Sequence, residues 1–147
     1  MNPCEKPTED LEFKRNGNRH DLTVHRKFFD KIRDGIKTVE GRAGKIDTKN
    51  GILENYRTKE TSFEVGHTIR FTISGNEESS EGVVCEITKL EFHDSFQEML
   101  AKSGISSCLP GIGSMEEGIR IYRGFSGYAE REKKYGVVGI HLNVLSN

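Results

Sequence analysis

The change of hydrophobic period at Gly35 constrains this chain more than any other feature. From Lys27 to Asp34 the apolar residues Phe28, Phe29 and Ile32 share one face of a helix, and Gly35 stands where such a helix ends. A strand is expected to begin directly afterwards. If Thr38 to Arg42 is extended, the period of two puts Thr38, Glu40 and Arg42 on one face and Val39 and Gly41 on the other. One face is then bare or apolar and the other dense with polar groups, with Lys37 at its mouth.

The rest of the chain keeps alternating short strands with segregated helices. Leu22 to Val24 reads as a first strand, and Thr68 to Ile73 alternates polar and apolar after a turn at Val65-Gly66. A polar connection, Asn76 to Gly82, leads to a strand over Val83 to Phe92, with Cys85 and Ile87 on one face; these two strands are expected to pair antiparallel. Asp94 or Ser95 opens a helix carrying Phe96, Met99 and Leu100, with Gln97 completing a capping pattern from Asp94. Leu109-Pro110-Gly111 is a turn. Ser114-x-x-Glu117 is a second capping box, ahead of Met115, Ile119 and Tyr122 at helical spacing. Phe125 to Tyr128 interrupts this helix, Ala129 to Lys134 resumes it, and Gly136 to Leu145 is a strongly apolar closing strand expected at the centre of the sheet. Ala43 to Glu64 is long for a loop in so small a domain and reads as a lid or a disordered insertion, whose Lys45, Arg57 and Lys59 are candidate phosphate contacts. The pattern suits an α+β barrel better than parallel β-α-β units.

Composition sets the remaining bounds. A chain of 147 residues supports one core, and 33% hydrophobic against 31% charged residues with 16 glycines describes a small, turn-rich domain. Residues 1–20, with Pro3, Pro7, Asn16 and Gly17 among many charges, are expected to form a loose arm, and residues 21–147 the single domain. The net charge of -1 offers no global attraction to nucleic acid, so any such binding rests on a local basic patch; Arg120, Arg123 and Arg131 are candidates. No apolar run approaches the roughly 20 residues of a membrane span, and no apolar signal core opens the chain, so an intracellular protein away from membranes is expected. Cys4, Cys85 and Cys108 are an odd count without metal-ligand spacing, which argues against a disulfide framework and a zinc site. No metal or cofactor is assigned. His20, His25, His67, His93 and His141 lack the spacing of a relay, and no serine sits in a G-x-S-x-G elbow.

The stretch Gly35-x-Lys37-x-x-Glu40-x-Arg42 resembles the G-x-K-x-x-E-x-R signature of the ASCH domain. Later segments resemble the same family in the same order: Val65 to Phe71, Ser95-Phe96-x-x-Met99-Leu100, Leu109-Pro110-Gly111, Glu117-Gly118 with Tyr122, and Tyr135 to Ile140. The resemblance covers about Leu22 to Leu142. It implies a PUA-like fold, a small mixed β-barrel with helices packed across one end, and a cavity associated with RNA or a modified nucleoside. No preference for DNA is implied. Some ASCH proteins resemble amidohydrolases that deacetylate N4-acetylcytidine with a Lys, a Thr three residues on and a distal Glu. Here Lys37 matches, Glu40 stands at the Thr position, and Glu117 is the candidate for the distal Glu.

The candidate ligand contacts are therefore Lys37, Thr38, Glu40, Arg42, Glu117 and Tyr128, with Lys37 and Glu40 as the catalytic pair if the protein is an enzyme. Glu40 can accept hydrogen bonds from an exocyclic amine while Lys37 or Arg42 engages a phosphate. As a hydrolase, an amidohydrolase or ribonuclease, the protein would need Glu40 to activate a water and a cation to hold the oxyanion. Tyr122, Phe125 and Tyr128 offer a stacking surface, with Tyr128, beside Gly127, the one expected to be exposed. Neither Lys37 nor Arg42 is expected in the core. The RNA or modified-nucleotide reader leads; the small hydrolase and a protein-interaction barrel are the alternatives.

Overall fold

The computed structural model describes residues 18–75 and 81–146. The expected N-terminal arm thus lies outside the described residues as far as position 17. The first strand, β1 (Arg19–Val24), begins two residues ahead of the expected domain start at Asp21. It runs into α1 (Arg26–Arg33), whose Phe28, Phe29 and Ile32 are all buried. Gly35 ends the helix with a φ of +76°, a conformation that glycine adopts without a Cβ penalty.

The strands that follow are β2 (Val39–Ala43), β3 (Lys45–Asp47), β4 (Ile52–Glu54), β5 (Thr68–Ile73) and β6 (Val83–His93). Four helices come next: α2 (Phe96–Ser103), α3 (Ile105–Cys108), α4 (Met115–Gly124) and α5 (Tyr128–Tyr135). The last strand, β7 (Val137–Ser146), runs through the sheet interior.

One five-stranded sheet has the order β1-β5-β6-β7-β2. β1 is parallel to β5, and every other pair in the sheet is antiparallel, including the expected β5 and β6. β6 carries two register irregularities, after Val84 and after Ile87, and such bulges bend a strand. The sheet curls so far that its two edges approach: Arg42 Nη2 on β2 donates to Thr23 O on β1 at 3.0 Å. This is a half-barrel joined at its open side by a side chain rather than by a ladder.

The core fills the inside of the curl. Phe29 and Ile32 from α1 meet Ile69 and Phe71 from β5, Cys85 and Ile87 from β6, and Ile140 from β7, all fully buried. The Cys85 thiol is pushed up to about 11 by that burial and is an inert core group. Helices α2 to α5 pack across one end, where the Phe96 ring stacks on Tyr122 at 4.4 Å.

The local signals hold with one shift of register and one larger error. Ser95, not Asp94, caps α2: its Oγ accepts from Glu98 N at 3.1 Å, and Glu98 Oε1 accepts from Asp94 N at 2.9 Å. The capping box is therefore Ser95 with Glu98, and Gln97 faces solvent. Ser114 caps α4 as expected, accepting from Glu117 N at 3.1 Å.

The larger error is the stretch from Ala43 to Glu64, which is neither a lid nor disordered. β3 and β4 form a two-stranded sheet, Tyr56 and Phe63 are buried, and the Glu54 carboxylate accepts from Tyr56 Oη, Thr61 Oγ1, Ser62 N and Ser62 Oγ, all within 3.0 Å. Polar residues that read as loop are here the partners of one carboxylate. Arg57 is likewise structural: it pairs with Asp94 at 2.8 Å and donates to the carbonyls of Glu132 and Lys133, closing the C-terminus of α5.

Two predictions follow from this packing. A Cβ on Gly44 would lie 2.5 Å from both the Glu54 carbonyl oxygen and Tyr135 Cβ, so Gly44→Ala should cost about 1 to 3 kcal/mol in urea denaturation; an unchanged midpoint would mean that the small sheet simply moves aside. The second concerns pH. Burial lowers the pKa of His93, which is 5% exposed and whose Nε2 has no partner among the described residues, and burial with the neighbouring His67 lowers that of His20. Both titrate at about 6.5 when unfolded, so the unfolded chain binds more protons below that pH. Stability should therefore fall as pH drops from 7 through 6.5, ahead of any carboxylate effect, and His93→Gln should flatten the slope of urea midpoint against pH.

Candidate ligand-binding site

A cavity of about 130 Å³ opens in the seam between β1 and β2. The helix-to-strand junction at Gly35 determines what lines it. After the turn, Ile36 N and Lys37 N both donate to Lys31 O, which ties the chain back onto α1 and directs Lys37 inwards. Its ammonium donates to Val39 O and to Cys108 O, each at 2.6 Å, and stands 3.4 Å from Glu40 Oε1.

Lys37 is 3% exposed, so the expectation that it lies outside the core is wrong. All of its donors are directed at protein oxygens. It acts as a strut that joins β2 to α3 and holds Glu40 in place, and it has no donor left for a phosphate.

Glu40 is itself buried, and its second oxygen accepts from Arg42 Nε at 2.7 Å. Burial opposes the Arg42 charge, but the Glu40 carboxylate beside it outweighs that effect and the guanidinium stays protonated. The period of two thus brings Glu40 and Arg42 together as expected. The opposite face is not bare to solvent: Val39 is in the core, and Gly41 lies against α2 and α4. A Cβ at Gly41 would sit 2.6 Å from Met99 Cε and 3.2 Å from Tyr122 Cε1. The missing side chain lets the Tyr122 ring press onto the strand.

Aromatic rings make the other walls. Phe28 on α1 lies beneath the Lys37 ammonium at 5.7 Å, and Phe125 stacks on His25 at the mouth at 5.7 Å. Tyr128 was expected to be exposed; it is half-buried, parallel to Phe96 at 5.9 Å, and contributes to the lining. Tyr122 is 3% exposed, and its hydroxyl has no hydrogen-bond partner among the described residues. Burial pushes the pKa of both phenols above the usual tyrosine value, so each keeps its O–H.

Four of the six expected contacts, Lys37, Glu40, Arg42 and Tyr128, line the cavity together. Thr38 and Glu117 do not. Thr38 is exposed ahead of β2, with its backbone bonded to Ser107 and Leu142, and Glu117 is exposed on the first turn of α4. Of the three helical arginines, Arg123 pairs with Glu132 at 2.8 Å, Arg131 donates through Nε and Nη2 to Gly44 O and Ala43 O, and Arg120 is exposed on α4; none lines the cavity. Tyr122 was legible as an aromatic at helical spacing but not as a cavity polar group, because its lost partner shows only in three dimensions. Cys108, beside Lys37, is fully buried and its thiol is pushed up to about 11, chiefly by burial. Among the described residues, no group of three or more His, Cys, Asp or Glu is placed to hold a metal ion. Among them, too, no helix is long and apolar enough to cross a membrane.

A mixed sheet curled to a half-barrel, with helices across one end and a cavity in its seam, has PUA-like architecture. The chain belongs to the ASCH domain family, which matches residues 22–146. It is similar in structure to the hypothetical protein PH0355, at 29% identity and a TM-score of 0.62 over 86% of this chain and 99% of that one. Protein PF0455 from Pyrococcus furiosus is similar at 30% identity and a TM-score of 0.58, over 88% and 99% of the two chains. The ASCH protein from Zymomonas mobilis shares the fold at 14% identity, with a TM-score of 0.54 over 87% of this chain and 68% of its own. No curated relative matches the chain.

The buried strut generates a prediction. Lys37→Met leaves two carbonyls and one side of Glu40 without their cation, and should cost about 3 kcal/mol in urea denaturation. A variant as stable as the wild type would show that the ammonium is dispensable to the fold.

Proposed function

We propose that the protein is a reader of RNA or of a modified nucleoside or nucleotide, taking one base into the seam cavity. The observation that carries this reading is the Tyr122 hydroxyl, a buried polar group without a partner among the described residues, on a ring that lines the cavity. An orphaned buried hydroxyl costs stability, and a ligand in the cavity is one partner that supplies the missing bond. Its neighbour Glu40 is an acceptor at the cavity wall, so a ligand that reaches both groups meets a donor and an acceptor, as the polar edge of a base requires. The volume supports the same reading, since a cavity of roughly 150 Å³ takes a benzene ring. Phe28, Tyr122 and Tyr128 supply faces for a planar ligand.

Membership in the ASCH family supports either an RNA-binding or a hydrolytic role. The chemistry favours binding. Lys37 is saturated, Cys108 is a buried thiol, and Glu40 is engaged by two cations, so none of them is poised as a nucleophile or a free base.

The test is a titration of the purified protein with N4-acetylcytidine, other modified nucleosides and short RNAs, following both bound ligand and product. Binding without turnover is expected, with affinity falling about tenfold in Tyr122→Phe while thermal stability holds or rises. Turnover that is lost in Glu40→Gln would make the protein a hydrolase, and no binding at all would leave the protein-interaction barrel.

A further inference from the structure

Behind Arg42 lies a second depression, of about 250 Å³, and Arg42 lines both hollows. The second one is bounded by β1, β2 and the small β3-β4 sheet, with Lys45 and Arg131 at its walls. Its charges are unevenly committed. Glu54 is saturated by four donors from its own loop, and Asp21 pairs with Arg19 at 3.1 Å. Lys45 is exposed, with Glu54 opposite it across the small sheet and Asp47 near enough to feel its charge. Arg131 holds two backbone carbonyls and lies 4.8 Å over the Tyr128 ring, which faces the first cavity. Three cations, Arg42, Lys45 and Arg131, line this hollow with two carboxylates, Asp21 and Glu54, and it borders the aromatic cavity.

A nucleotide needs a place for its base and a place for its phosphate. The first cavity supplies the former only: Lys37 spends its donors on Val39, Cys108 and Glu40, and Arg42 Nε is held by Glu40. Exposed Lys27 lies 5.5 Å over the outer Phe28 ring, while Lys45 and Arg131 line the hollow that shares Arg42 with the first cavity. The depression there exceeds what one phosphate fills, which leaves room for the sugar or base that follows.

Resting on the reading above, we infer that the second depression receives the phosphodiester and the adjoining nucleotide of a single RNA strand whose first base sits in the seam cavity. The unit recognised is a dinucleotide step, with Lys45 and Arg131 as the phosphate-side contacts and Arg42 as the divider between the subsites.

Calorimetric titration of the four common ribonucleosides and the corresponding dinucleoside monophosphates, at low and at high salt, tests this. Dinucleoside monophosphates should bind about tenfold more tightly than the matching nucleosides, and the difference should shrink as salt rises. Lys45→Glu, at an exposed position, should remove most of that difference and leave nucleoside affinity unchanged. Arg131→Gln should also lower dinucleotide affinity, with nucleoside affinity and thermal unfolding followed in parallel because this residue lies over the Tyr128 ring and holds the Ala43 and Gly44 carbonyls. Equal affinities for the two ligand classes, or a dinucleotide affinity indifferent to Lys45→Glu, would overturn the second subsite while leaving the base cavity standing. Failure of every compound to bind would overturn both.

Discussion

The sheet of this protein does not close, and most of what distinguishes the molecule follows from that. β1 and β2 are its two edges, and exposed edges present unpaired backbone groups that pair readily with other chains. Here the gap is spanned by the Arg42 guanidinium, with Glu40 on one side and Thr23 O on the other. A side-chain bridge keeps the edges apart by more than a ladder would, and the cavity occupies that extra space. The charges sit there because backbone must be satisfied there: Lys37 takes two carbonyls that no strand partner reaches, and Glu40 balances the two cations.

The helical end is fixed by a second buried carboxylate. Glu132 on α5 accepts from Phe96 N at the start of α2 and from Arg123 on α4, so three helices converge on one side chain. This convergence sets the Phe96 ring between Tyr122 and Tyr128, and the two phenols reach the seam as one stacked group. The aromatic wall is thus held from behind by an ion pair that takes no part in it.

Period and turn chemistry made the main elements of the fold legible. The alternation of β5, the apolar run of β7 and the Gly35 stop each depend on neighbours in sequence, and each reading held. The β3-β4 sheet was missed because its stability comes from Glu54 collecting donors along the chain and from two buried aromatics, Tyr56 and Phe63, spaced without a period. The site divided along the same line. Glu40 and Arg42 could be paired from strand alternation alone, whereas the burial of Lys37 depends on Cys108 and that of Tyr122 on Gly41, contacts between distant segments. Glu117 was assigned by resemblance, and Thr38 by carrying the strand alternation one residue ahead of Val39, where β2 begins; neither lines the cavity.

The pairing of the seam strands bears on when the cavity comes into being. β2 has a single neighbour in the sheet, β7, with Val39 opposite His141, and β1 has only β5, with Arg19 opposite Thr68. Each wall thus waits for a strand made much later, and contacts so far apart in sequence are slow to form. During synthesis the signature residues of β2 emerge early and then stand without a sheet until the closing strand arrives. The β2 wall of the pocket therefore takes its place in the sheet only with the closing strand, whose pairing with β6 completes the sheet interior.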